Sequence, residues 1–372
     1  MTTMNDYFAF LQFLRKGLWD TNMDCVLNSP LKISAVYRIA QQQSVVGLLA
    51  AGLERTTERK VPQSITLAIA GEVLQYEHRN KSMNVFIGLL FDKLQAEGIF
   101  TVLVKGQGIA QCYERPLWRC SGDIDLFLSE DNYLRAKELL LPLASSVEEE
   151  FVREKHLGMT VNGWVVELHG HLYSGLSSKV EKELDALQQD TFNEGQVRSW
   201  MNGKTQVFML KAENDAFYVF THILQHFYKG GIGLRQICDW CRLLYTYKDS
   251  LDYDLLEKRI KRAGLMTAWK AFAALAVEYL GMPVEAMPFY SDSFLWKKKA
   301  KLIMDFVMMS GNFGHNRDSS YMKYPYLIRK CFSMSQRIGD LIRHSRIFPL
   351  DSLRFLPRIM WNGVRSAAKG EG

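Results

Sequence analysis

Residues 122–128, Gly-Asp-Ile-Asp-Leu-Phe-Leu, narrow the folds open to this chain more than any other stretch. Along a β-strand successive side chains point to opposite faces. Asp123 and Asp125 therefore share one face, and Ile124 and Leu126 the other. Two carboxylates on one face of an otherwise apolar strand repel each other, and a hard divalent cation with oxygen ligands offsets that repulsion. A third carboxylate stands in a matching context, because Val165-Val166-Glu167-Leu168-His169 is again an apolar run with one acid. If the two strands are neighbours, Glu167 comes within about 5 Å of an aspartate between Cβ atoms. Asp-x-Asp alone is common at strand ends and turns, and a lone strand glutamate usually faces solvent. The combination carries the reading.

The surrounding pattern mixes helices and strands. Residues 1–98 read as helical, with candidate helices at 4–19, 30–55, 63–80 and 80–97, and Gly98 ending the last. The period then changes. Ile99-Phe-Thr-Val-Leu-Val is a buried strand closed by Lys105-Gly106, residues 107–115 suit a short helix, and 123–128 form a second strand. A helix follows over 131–141, with Ser129 as a cap near its start. Residues 151–160 fit either helix or strand. Residues 160–169 read as a hairpin around Asn162-Gly163. After Ser178 the chain returns to helices, at 213–228, 234–247 and, as a pair, 255–280. The expected fold class is α+β: a small mixed β-sheet core flanked by N-terminal and C-terminal helical regions. The expected division is a helical region at 1–98, the α/β core at 99–178, a helical region packing on it at 179–290, and a basic helical tail at 291–372.

Charge and cysteine content exclude some classes. The formal charge is +6, and from Lys323 onward ten Lys or Arg face three acids, so the rest of the chain is close to neutral. A basic tail attracts phosphates and anionic surfaces, although a solvated surface helix explains it equally well. The N-terminal stretch lacks a charged segment followed by an apolar core, and no run of about 18 apolar residues exists to cross a membrane. Six scattered cysteines are too sparse for a disulfide scaffold, which points to a reducing cytoplasm.

Phosphate-side elements precede the aspartates. Lys105-Gly106-Gln107-Gly108 lies between the first strand and a helix, where glycine lets the backbone approach a phosphate and Lys105 adds a cation. The spacing is not that of a Walker A loop. Gly122 gives a similar approach beside the acidic strand. Arg119, four residues before Asp123, is a candidate phosphate contact, with a surface arginine near a turn as the equal alternative.

In this order the pieces resemble the DNA polymerase beta-like nucleotidyltransferase superfamily. That superfamily places a glycine turn after a first strand, then an acidic-x-acidic strand, then a third strand acid. A nearer resemblance is to bacterial nucleotidyltransferase-like proteins with a Lys-Gly turn and an Arg-x-x-x-Asp-Ile-Asp strand, matched here by Lys105-Gly106 and Arg119-Cys-Ser-Gly-Asp-Ile-Asp125. Glu167-Leu-His169, His222-x-x-x-His226 and Leu234-Arg235-x-x-x-Asp239 also look like that group. The similarity covers roughly 30–250, and Lys-Gly-Gln departs from the superfamily's usual Gly-Ser turn. The resemblance implies Mg²⁺ (or Mn²⁺) held by Asp123, Asp125 and Glu167, with the triphosphate near Lys105, Gly106, Arg119 and Gly122. Glu167 would also assist deprotonation of the acceptor. It implies transfer of a nucleoside monophosphate from a nucleoside triphosphate, such as ATP, to an unknown acceptor; a nucleic-acid acceptor is not favoured. The alternative is a catalytically inactive relative that binds a nucleotide or a partner.

Other clusters read as structural first. His169 and His171 are expected to be hydrogen-bonded, and His222 and His226 to share a helical face in packing or cleft lining. Arg235 is expected to pair with Asp239 on one helix face. Cys238 and Cys241 fall inside an amphipathic helix and read as core cysteines. Tyr321, Tyr324 and Tyr326 with Arg329 and Lys330 could stack on bases or pack helices.

Overall fold

Four helices precede the first strand: α1 (Met4–Trp19), α2 (Ile33–Gln42), α3 (Val46–Glu54) and α4 (Gln63–Ala96). The structure, a computed structural model, describes residues 3–20, 32–56, 61–152, 154–312, 323, 326–353 and 357. Tyr321 and Tyr324 lie outside the described residues, as does most of the basic stretch beyond Leu353. α1 opens on a capping box, in which Thr3 and Asp6 satisfy each other's backbone N–H groups. The expected helix over 30–55 is in fact two, parted where Ser44 takes φ 56°. The expected pair at 63–80 and 80–97 is one continuous helix, since no proline interrupts its period.

The remaining elements follow in order: β1 (Thr101–Val104), α5 (Gly106–Ala110), β2 (Ile124–Leu128), α6 (Glu130–Leu140), β3 (Ala144–Val147), β4 (His156–Val161) and β5 (Trp164–His169). After them come α7 (Ser178–Phe192), β6 (Val197–Asn202), β7 (Thr205–Leu210), α8 (Ala212–Lys229), α9 (Leu234–Tyr247), α10 (Tyr253–Ala263), α11 (Met266–Leu280), α12 (Phe294–Ser310) and α13 (Tyr326–Ile347). The seven strands form one mixed sheet in the order β3-β4-β5-β2-β1-β7-β6. β2 runs antiparallel to β1 and parallel to β5, and β1 runs parallel to β7.

The α+β class holds. The return to helices alone after Ser178 does not, because β6 and β7 form a hairpin that extends the sheet beside β1. Its signal is an alternation in which Thr205, Val207 and Met209 are buried and Gln206 exposed, with Asn202-Gly203 at the turn. The β4–β5 hairpin turns at Asn162-Gly163, both with positive φ, as a two-residue turn of this kind requires.

Alternation along the strands divides the core. Ile124, Leu126 and Leu128 join Leu103, Val166 and Leu168 in an apolar layer under α4 and α6. Val102, Val104 and Phe127 belong to the larger core on the other face, shared with α1, α8, α9 and α11. Asp125 lies between Ile124 and Leu126 and so points to the face that α8 covers. Cys238 and Cys241 are buried and free in that larger core, and burial pushes both thiols up.

Candidate active site

The β2–β5 pairing sets the site. Asp125 and Glu167 are Cα partners in this parallel pair, and Val104 partners Asp125 on the other side. Lys105, the next residue after β1, is thereby delivered to Asp125, with its Nζ 2.7 Å from Asp125 Oδ1. Its backbone sits at φ 57°, ψ −146°, a region that β-carbon sterics leave almost entirely to glycine. Gly106 follows at φ 42°. Asp123 lies just outside β2 and is partly exposed, whereas Asp125 is buried.

Carboxylate oxygens of Asp123, Asp125 and Glu167 stand within 4.8 Å of one another. Their electrostatics differ. The Asp125 charge and burial raise Asp123. Burial opposes ionisation of Asp125, but the Lys105 ammonium and His169 outweigh it and hold that carboxyl below its usual value. Hydrogen bonds from His156 and His169 hold Glu167 well below the carboxylate range. His169 Nε2 lies 2.9 Å from Asp125 Oδ1, and His156 Nε2 lies 3.2 Å from Glu167 Oε2. Burial would lower His169, but its bonds to the two carboxylates raise it.

A cavity of about 1250 Å³ opens over these groups. α8 supplies Tyr218, His222 and His226 to its wall, residues four apart and so on one helix face. The ring nitrogens of His222 and His226 are 3.1 Å apart. Burial and the Lys105 charge press both imidazoles toward the neutral form, His226 down to about 4.

Arg119 and Gly122 also line the cavity, but Arg119 is engaged within the protein. Its guanidinium makes two bonds to Asp239, at 2.7 and 2.8 Å, and Tyr113 donates to the same carboxylate at 2.7 Å. The expected Arg235–Asp239 pair is not formed; Arg235 donates instead to the Cys120 carbonyl at 2.8 Å. The reason is burial. Asp239 is almost enclosed, and a planar guanidinium arriving from the loop matches both its oxygens. Arg79 donates to the Gly122 carbonyl at 3.2 Å. His171 pairs with Asp185 rather than with His169.

Sequence reasoning missed a second polar cluster. Asn80, buried in the middle of α4, donates to the Leu117 and Arg119 carbonyls at 2.8 Å each, and Gln107 donates to Asn80 at 2.8 Å. Gln107, the departure from the Gly-Ser turn, is thus buried and spent on the scaffold. A polar residue in the apolar stripe of a long helix was its only signal.

The donors fit a hard divalent cation. Such an ion takes oxygen ligands at about 2.0–2.6 Å, so three carboxylates this close need only small side-chain adjustments to share it. Both bonds to Asp125 fall on Oδ1, and among the described residues no side chain bonds to the Asp123 carboxylate.

A glycine turn after one strand, an acidic pair on its neighbour and an acid on the next, all in one mixed sheet among helices, is the nucleotidyltransferase-like fold. The chain belongs to the uncharacterised nucleotidyltransferase family, whose model matches residues 29–281. The crystal structure of an antigenic nucleotidyltransferase-like protein from Paracoccidioides brasiliensis is similar at 14% identity and a TM-score of 0.32, covering 54% of this chain and 93% of that one. No curated protein matches the sequence. Among the described residues, no helix is long and apolar enough to cross a membrane.

Proposed function

We propose that this chain is a metal-dependent nucleotidyltransferase that moves a nucleoside monophosphate from a nucleoside triphosphate onto a hydroxyl of a small molecule or protein. The observation that carries this reading is the meeting of the Asp123, Asp125 and Glu167 oxygens in a cavity that also bears Lys105. Mg²⁺ or Mn²⁺ bound there supplies positive charge to the triphosphate and the attacking oxygen. Lys105 and His169 keep Asp125 ionised, and His156 and His169 do the same for Glu167, so both are carboxylates and not carboxylic acids at neutral pH. Lys105 offers the triphosphate a cation, and Gly106 and Gly122 offer backbone without a side chain in the way. The acceptor oxygen bonds to the α-phosphorus, that phosphorus parts from its bridging oxygen, and pyrophosphate leaves. Glu167 serves as a ligand, and the uncharged imidazoles of His222 and His226, on the wall of the same cavity, can accept a hydrogen bond from the acceptor hydroxyl. Arg119 acts by holding the loop that carries Asp123.

One observation favours a second reading, a relative that binds a nucleotide or partner without turnover. Lys105 and His169 already neutralise Asp125 from within the chain. Melting temperatures with ATP, GTP, CTP and UTP, each with and without Mg²⁺, and pyrophosphate release separate the two. Asp123→Asn is the variant of choice because Asp123 is partly exposed and its loss leaves no buried cation unpaired. Stabilisation that needs Mg²⁺ and disappears in Asp123→Asn supports nucleotidyl transfer. A nucleotide shift indifferent to Mg²⁺ and to that substitution, without pyrophosphate release, selects the second reading.

A further inference from the structure

We infer that His156, Glu167 and His169 form a second metal site, selective for a borderline transition dication of the Zn²⁺ class and sharing Glu167 with the carboxylate site. This goes beyond nucleotidyl transfer and stands without it, since it rests on ligand chemistry alone.

The strands build the site. His156 and His169 are Cα partners across the antiparallel β4–β5 pair, and Glu167 precedes His169 by two residues. Alternation puts all three side chains on one face, carried by backbone hydrogen-bonded on both sides. Their ligand atoms lie within 4.8 Å of one another. His156 Nε2 is 3.2 Å, and His169 Nε2 3.5 Å, from the same Glu167 oxygen. A tetrahedral ion with bonds of about 2.0–2.1 Å spaces its ligand atoms about 3.3 Å apart. The observed separations bracket that value.

His169 Nε2 is also 2.9 Å from Asp125 Oδ1, a hydrogen bond that a deprotonated, metal-bound His169 would give up. His156, Glu167 and His169 all line the cavity, so an ion held between them would lie beside space for water or substrate. Two imidazoles and one carboxylate suit zinc, or cobalt in its place, better than Mg²⁺, which prefers an all-oxygen shell. Asp123 belongs to the carboxylate group alone and His156 to the imidazole group alone, so the sites are separable by substitution.

The test uses the full chain, stripped with chelator and titrated with Co²⁺ in a large excess of Mg²⁺, because Co²⁺ reports its coordination through visible absorption. The expected result is one equivalent of Co²⁺ with the intense bands of a four- or five-coordinate site, displaced by Zn²⁺ and not by Mg²⁺. His156→Ala weakens Co²⁺ binding by at least about tenfold, whereas Asp123→Asn binds it as the wild type does. His156→Cys retains binding and adds a sulfur-to-cobalt charge-transfer band, a gain of signal that a misfolded protein would not give. Co²⁺ binding that Mg²⁺ abolishes, that Asp123→Asn removes, or that both His156 variants leave unchanged overturns the inference. The nucleotide-dependent melting shift is read separately, so either reading can fail alone.

Discussion

Asp239 holds the loop ahead of the two aspartates together with Asn80 and Arg235. It receives two bonds from Arg119 and one from Tyr113, all in buried surroundings. Asp239→Ala would strand a buried guanidinium, at a cost of about 3–5 kcal/mol. Tyr113→Phe, which removes one of the three bonds and leaves the Arg119 pair in place, should cost about 1 kcal/mol. Urea unfolding of the two variants measures both, and equal losses would contradict the pairing described. At His169 the sign of the pH dependence follows from its raised folded value. Its contribution is complete below about pH 6.5, where the unfolded histidine is protonated too, and is lost as pH rises through the folded value. Asp125 and Glu167 are held low, so their contributions persist above the unfolded carboxylate values near 4 and fade below them. His169→Asn should therefore lower the melting temperature most between about pH 4.5 and 6.5. A gap that widened above that window would refute the arrangement.

Among the elements, the β1–α5 turn is the place where local preference yields to the sheet. Lys105 holds φ 57° because β2 and β7 fix β1 on both sides and Asp125 draws the ammonium inward. Lys105→Gly and Lys105→Ala both lose the charge, but only glycine relieves the backbone. Lys105→Gly should thus be more stable than Lys105→Ala by about 1 kcal/mol, measured by chemical denaturation. Equal stabilities would mean the turn is unstrained. β2 and the β4–β5 hairpin were legible because alternation and Asn-Gly are local signals. β6–β7 carries the same signals but lies after a long helix, where the helical period dominates a reading made by windows. α4 runs unbroken through Asn80, whose side chain joins a buried polar network and does not end the helix.

At the scale of the whole molecule, the N-terminal helices are fastened to the rest by backbone contacts. Trp19 donates to the Leu280 carbonyl at 2.6 Å and Arg15 to that of Tyr279 at 2.8 Å, so two side chains of α1 cap the C-terminus of α11. α1 and α3 cross with almost no space between them. A β-carbon at Gly17 would meet the Leu48 carbonyl oxygen at 1.9 Å, and one at Gly52 would meet that of Phe13 at 2.0 Å. Gly52→Ala should therefore cost about 1–3 kcal/mol by forcing the helices apart. Thermal melting checks this, and a neutral or stabilising effect would show the crossing to be looser than described.

The sequence by itself determined the strands that carry Asp125 and Glu167, with Asp123 one residue ahead of the first, and which face those two acids take, because strand alternation is a property of the local backbone. It also determined the class of fold, through helical and strand periods that change within a few residues. Only the tertiary structure decided that β2 and β5 run parallel with Asp125 opposite Glu167, that Arg119 belongs to Asp239, and that His156 and α8 reach the same cavity. Those outcomes depend on which distant elements share the free energy of burial, and no local pattern records a partner that lies beyond its own element.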